Sequence, residues 1–201
     1  CYDITYMRCI PNMIVSAPMN EAELRNLMYT AQLDSNTLPF VIRYPRGEGV
    51  MPEWKKEMKE IKIGTGRKLQ DGNDIAILSF GHVGNFAASA IRDVKPEGIN
   101  PAHYDMRFVK PLDEEMLHEV FRKYNKVVTI EDGTVVGGFG SAILEFMNEH
   151  GYKADVKIMG IPDRLVEHGT PKQLYDEIGI DANGITIALR TMAEVKVAVH
   201  S

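Results

Sequence analysis

Apolar positions recur along the chain with two alternating periods, and the alternation itself predicts the architecture. Leu24, Leu27, Met28 and Ala31 recur at helical spacing behind Asn20 and Glu23, a pair with the separation of a capping box. Pro39 then precedes Phe40-Val41-Ile42-Arg43-Tyr44, a short apolar run suited to a buried strand, and Pro45-Arg46-Gly47 turns the chain at its C-terminal end. Further on, strands are expected over Asp74–Phe80, Ala102–Phe108, Lys126–Ile130 and Asp155–Ile161. Between them lie helices over Asn85–Val94, then behind an Asp113 cap with Met116, Leu117, Val120, Phe121 and Tyr124 as the buried stripe, and from the 137–140 glycines to about His150. Thr170-Pro171 opens a short helix with proline in its first turn. A last helix is expected over Asn183–Val199. Strands alternating with helices at this spacing imply an α/β fold, a mostly parallel sheet with right-handed crossovers and helices on both faces.

The stretch from Glu48 to Gly66 breaks the alternation. Gly49, Pro52, Gly64 and Gly66 surround the charged segment WKKEMKEIK, which reads as a surface connector between two units. The organisation expected is therefore a helix–strand portion over 1–47, a linker over 48–66 and an α/β domain over 67–201.

Composition narrows the partners. Of 201 residues, 44% are hydrophobic and 25% charged, enough apolar material for a core without disulfide or metal staples. The net charge of −5 comes from 23 basic and 28 acidic residues spread along the chain, so no basic stripe invites nucleic acid or an anionic membrane. Cys1 and Cys9 lack the companions that a disulfide framework or zinc site requires. No apolar run approaches membrane-spanning length, and CYDITYMRC lacks the features of a secretion signal, so a cytoplasmic setting is expected. The chain does not begin with Met, and its first residues read like the middle of a domain, as expected of part of a longer polypeptide.

Four groups could carry chemistry. Arg43 and Arg46 flank Tyr44-Pro45 where a strand meets a turn, and guanidinium forks match phosphate or carboxylate. Spacing alone leaves a structural salt bridge equally open. Glu131-Asp132-Gly133 and then Gly137-Gly138-Phe139-Gly140-Ser141 lead into a helix, but the order is neither GxGxxG nor a phosphate loop, and two carboxylates would repel a phosphate. Tight helix–sheet packing is the expected role. Gly81-His82-Val83-Gly84 is expected to be a structural turn; His82 could face a cleft at the sheet's C-terminal edge, but nothing in the sequence places a partner beside it. His168 is expected at a surface or cap, and His118 and His150 on solvated helix faces; no HExxH or GxSxG pattern is present.

The segments DITYMRCIPNM, RYPRG, DMRFVKPLD, EDG with GGFGS, and GIPD with HGT occur in an order that resembles the 1-deoxy-D-xylulose-5-phosphate synthase family. The resemblance spans essentially the whole chain. It implies that 1–47 ends a pyrimidine-binding α/β domain and that 67–201 is a transketolase C-terminal-like domain. It further implies a homodimeric, thiamine-diphosphate- and magnesium-dependent transferase that condenses pyruvate with glyceraldehyde 3-phosphate and releases carbon dioxide, toward isoprenoid, thiamine and pyridoxal synthesis. On that resemblance Arg46 meets the phosphate of glyceraldehyde 3-phosphate, Arg43 is a weaker candidate, and the catalytic and cofactor-binding residues lie outside this chain, which alone should be inactive. Two other readings stay open: a β-type subunit of a 2-oxoacid dehydrogenase, and a non-catalytic α/β module that binds an anion.

Overall fold

A computed structural model of the chain describes residues 1–51 and 53–194. Two sheets organise it. The larger contains β3 (Arg67–Gln70), β4 (Ala76–Phe80), β5 (Ala102–Asp105), β7 (Lys126–Thr134) and β8 (Asp155–Ile161) in the order β3-β5-β4-β7-β8. All neighbours are parallel except β3, which runs antiparallel to β5 on one edge. The central strand β4 has every residue buried, as a strand covered on both faces requires.

Helices cover both faces, as the alternation predicts. On one side α4 (Glu114–Lys123) and α5 (Phe139–Glu149) set Leu117, Val120, Phe121, Ala142, Ile143 and Phe146 against Leu78, Phe80 and Tyr104. On the other, α3 (Gly84–Val94) and α7 (Ala182–Glu194) bury Ala87, Ala90, Ile91, Ile185 and Leu189 against Ile75, Ile77, Val128 and Ile130. Small residues on α3 let it lie close to the strands. Residues 195–199, expected in the last helix, lie outside the described residues.

The smaller sheet has the order β2-β1-β6. Here β1 (Ile14–Ser16) pairs parallel with β2 (Phe40–Ile42) and antiparallel with β6 (Phe108–Lys110). The helix α1 (Asp3–Arg8) precedes it, and α2 (Glu21–Ala31) joins β1 to β2. Asn20 caps α2 as expected, accepting the Glu23 N–H at 3.0 Å. The other half of the capping box does not form, because the Glu23 carboxylate turns to Arg67 at 3.0 Å and Arg107 at 2.7 Å.

That cluster also corrects the single strand expected over Ala102–Phe108. The chain leaves the larger sheet after Asp105, takes a left-handed conformation at Arg107 (φ 54°) and enters the smaller sheet at Phe108. Fully buried Asp105 holds Arg67, Arg67 and Arg107 both hold Glu23, and the four charges close the joint between the sheets. The connector is more than a surface strap as well. Residues 53–60 are exposed, but Ile61 is buried beside Leu27 and Phe108, and its N–H donates to the Thr30 hydroxyl at 2.9 Å.

Candidate functional site

The C-terminal end of a strand in a parallel pair leaves backbone polar groups and a crevice facing solvent, the usual setting for a ligand. β2 ends in this way. The Arg43 N–H donates to the Ser16 carbonyl at 2.8 Å, continuing the ladder by one bond. Its side chain runs the other way, toward the larger sheet. Nε donates to Asp3 Oδ2 and Nη1 to Asp132 Oδ2, both at 3.1 Å, and little of the guanidinium remains exposed. Burial alone would lower its pKa, but Asp132 and Asp3 outweigh burial and raise it. Asp3 responds in kind: burial pushes its carboxyl up, and Arg43 together with local hydrogen bonds brings it below the ordinary value.

Arg46 stands three residues on and differs in every respect. It is exposed and makes no hydrogen bond or ion pair among the described residues. It lines a cleft of about 410 Å³ between the two sheets. The cleft is bounded by Met19 and Leu24 from the smaller unit, by His82, Asn85 and Phe86 from the β4–α3 turn, and by Pro171 and Tyr175 of α6 (Pro171–Ile178).

His82 therefore has partners that its sequence surroundings did not suggest. Its Nε2 is 3.0 Å from the Tyr175 hydroxyl and 3.8 Å from Asp132 Oδ2. Tyr175 donates to Asp132 at 3.2 Å, so Asp132 gathers Arg43, Tyr175 and His82 at one carboxylate. Burial lowers the His82 pKa; Asp132 opposes this and Arg43 adds to it, leaving the imidazole neutral near pH 7. Burial beside Asp132 pushes the Tyr175 phenol up to about 12.

The glycine segment does not form an anion site. The buried Glu131 carboxylate already occupies the N-terminus of α5, accepting the N–H groups of Phe139 at 2.8 Å and Gly140 at 2.9 Å. Orphan amides at a helix start favour an anion, and the chain supplies its own. A side chain at Gly138 would collide with that carboxylate and with the Thr134 carbonyl, which is why glycine stands there. Burial nevertheless raises the Glu131 pKa to about 7, against the two amides and the more distant Arg8 and Arg43.

The remaining histidines fall in three settings. His168 is exposed, while Thr170 provides the cap of α6. His118 is half-buried rather than solvated, because its ring lies against Phe146 and its Nδ1 is 2.8 Å from the Tyr152 hydroxyl. His150 is exposed yet stacks on Phe146. His103 has no signature in the sequence: it and Ser79, on the neighbouring strands β5 and β4, meet at 2.9 Å in the core. Burial first, then Arg67, lowers the His103 pKa to about 4, and a buried pair with no route to solvent has no substrate to act on. Among the described residues no three His, Cys, Asp or Glu side chains converge as a metal site, and no helix is long and apolar enough to cross a membrane.

Residues 64–185, more than half of the chain, match the family described as "Transketolase, C-terminal domain". The chain belongs to that family. This transketolase C-terminal domain and the segment before it are together similar to proteins named 1-deoxy-D-xylulose-5-phosphate synthase. The protein of that name from Cytophaga hutchinsonii is 58% identical over 194 residues, and that from Bacteroides thetaiotaomicron 54% over 195. The one from Aquifex aeolicus is 44% identical over 191 residues. Each match takes in at least 94% of this chain but 30% of the relative, so the chain spans about a third of the length of these relatives. Among solved structures, "Split gene transketolase, inactive beta4 tetramer" superposes with a TM-score of 0.80 at 30% identity, covering 97% of this chain and 62% of that one. The transketolase C-terminal family thus accounts for the larger sheet, helices α3 to α6 and the EDG and GGFGS segments at their junction.

Proposed function

We propose that the chain is the C-terminal part of a 1-deoxy-D-xylulose-5-phosphate synthase, within a longer polypeptide that condenses pyruvate with glyceraldehyde 3-phosphate and releases carbon dioxide. One observation carries the proposal: similarity to proteins of that name runs unbroken across the smaller sheet, the connector and the larger sheet, at 58% identity over 96% of the chain. In this reading residues 1–47 end the pyrimidine-binding domain, 48–66 connect, and 67–201 form the C-terminal domain of a cytoplasmic homodimer. Thiamine diphosphate and magnesium belong to residues elsewhere in the longer polypeptide. One feature of this chain agrees with that assignment, the helix N-terminus already filled by Glu131. The same filled terminus counts against a free-standing anion-binding module, and the names of the relatives favour the synthase over a 2-oxoacid dehydrogenase subunit.

Within this chain the substrate contact is Arg46. Its exposed guanidinium, without an ion pair among the described residues, stands at the lip of the cleft and offers a planar fork of donors to the phosphate of glyceraldehyde 3-phosphate. Arg43, committed to Asp3 and Asp132, has no donor fork to spare for substrate. In the full-length enzyme, Arg46→Ala should raise the KM for glyceraldehyde 3-phosphate about ten- to hundredfold, the cost of a lost charged hydrogen bond of roughly 1.5–3 kcal/mol, and leave the KM for pyruvate nearly unchanged. Equal effects on the two substrates would remove Arg46 from this role. The module reading has its own check: nucleotide binding by this chain in calorimetry would overturn the synthase assignment.

A further inference from the structure

The loop that carries Arg46 does not hold itself in place. From Tyr44 to Gly49 it is exposed throughout, and among the described residues it makes no hydrogen bond of its own. Gly47 adds backbone freedom, with φ at 144° and open space around it. Both ends, in contrast, are tied to carboxylates from elsewhere in the fold. On the upstream side Asp132, carried by β7 of the larger sheet, takes Arg43 Nη1 at 3.1 Å while Asp3 takes Nε. Downstream, Glu21 in the first turn of α2 accepts the Val50 N–H on Oε1 at 2.7 Å and the Met51 N–H on Oε2 at 3.0 Å. A side chain at Gly49 would push that carboxylate aside.

An arginine that meets a phosphate through a two-pronged fork must be held to within a fraction of an ångström. A six-residue loop with no internal bonds satisfies that only if its ends are fixed, and Pro45 passes the restraint from Arg43 toward Arg46 by locking one dihedral between them. We infer that Asp132 and Glu21 are positioning residues for the phosphate anchor Arg46, so that acceptor affinity depends on a carboxylate of the C-terminal sheet that never touches substrate. The inference rests on the assignment of Arg46 as phosphate anchor. Glutamine or asparagine at these positions keeps size and polarity but removes the charge that grips Arg43 and one of the two acceptors that hold 50 and 51.

The test uses the full-length synthase with Asp132→Asn, Glu21→Gln and Arg46→Ala, each assayed with pyruvate against glyceraldehyde 3-phosphate and against unphosphorylated glyceraldehyde. Asp132→Asn and Glu21→Gln should each raise the KM for the phosphorylated acceptor about three- to tenfold, a looser version of the loss on deleting the anchor. They should leave the KM for pyruvate and kcat/KM with unphosphorylated glyceraldehyde within about twofold. Placed on top of Arg46→Ala, either substitution should add less than about twofold, because residues that act through one group are not additive. Equal losses with both acceptors, or full additivity with Arg46→Ala, would show a structural role only and overturn the inference. If Arg46→Ala impairs the phosphorylated acceptor while the two carboxylate variants match the parent enzyme, the inference fails and the anchor assignment stands. An Arg46→Ala enzyme indistinguishable from the parent would overturn both. Should Asp132→Asn not fold, Glu21→Gln carries the same comparison from the other end of the loop.

Discussion

Replacing Glu131 by glutamine should change how folding stability depends on pH as well as stability itself. The carboxylate is buried beneath α5 and holds two amides at the helix start, yet burial raises its pKa to about 7 from an ordinary value of 4.5. A carboxyl with a raised folded-state pKa binds its proton more tightly in the native state. Its contribution is therefore fully present below the unfolded pKa and is lost as pH rises through the folded one. Over that whole interval the linkage amounts to about 3 kcal/mol, and between pH near 8 and pH near 5.5 to about 2 kcal/mol. Glutamine cannot titrate, so it removes this slope, and with one acceptor oxygen it leaves one amide short at every pH, a cost of about 1–3 kcal/mol. The measurement is urea unfolding of parent and variant at both pH values. Taking the difference between them cancels the groups they share, including Asp105, which burial raises to about 6 against Arg67 and Arg107, and His103, whose depressed pKa acts in the opposite direction. The variant should lose about 2 kcal/mol more, relative to the parent, at the lower pH than at the higher. Parallel profiles would mean that Glu131 stays ionised throughout and that the two amides outweigh burial.

Glu23→Ala should destabilise the chain by about 3–5 kcal/mol in the same unfolding assay, because it strands the half-buried Arg107 and deprives Arg67 of one of its two carboxylates. A loss below about 1 kcal/mol would show that the four-charge joint between the sheets can be dissolved without consequence. Gly138→Ala pushes a methyl into the Glu131 carboxylate and the Thr134 carbonyl, and should cost about 1–3 kcal/mol by thermal unfolding. Combining it with Glu131→Gln should give less than the sum of the two, since both disturb the same helix start; strict additivity would contradict that shared cause.

What was legible in the sequence, and what was not, divides by how far apart the interacting residues lie. Strands β4, β7 and β8 and helices α2 to α6 were readable because each declares itself within a window of ten residues: an apolar run, a stripe at helical spacing, a cap such as Asn20, Asp113 or Thr170. The short β1 and the edge strand β3 carry no such run, and β3 has no buried residue, so their pairing had no local signature. The break within 102–108 was hidden for a different reason. Ala102 to Phe108 is buried almost throughout, as one continuous strand would be, and only the charges of Asp105 and Arg107 betray the turn, by answering Arg67 and Glu23 from distant parts of the chain. The candidate site follows the same division. Spacing could place Arg43 and Arg46 at a strand end but could not tell them apart, since both present the same group to the same turn. What separates them is Asp3 and Asp132, 40 and 89 residues away from Arg43, which hold one guanidinium while the other has no such partner among the described residues. His82 was legible as a turn residue that could face a cleft, but its partners were not, because Tyr175 and Asp132 reach it only once the larger sheet has brought β4, β7 and α6 to one edge. Which of the two arginines finds a carboxylate is therefore settled by topology and not by the local sequence.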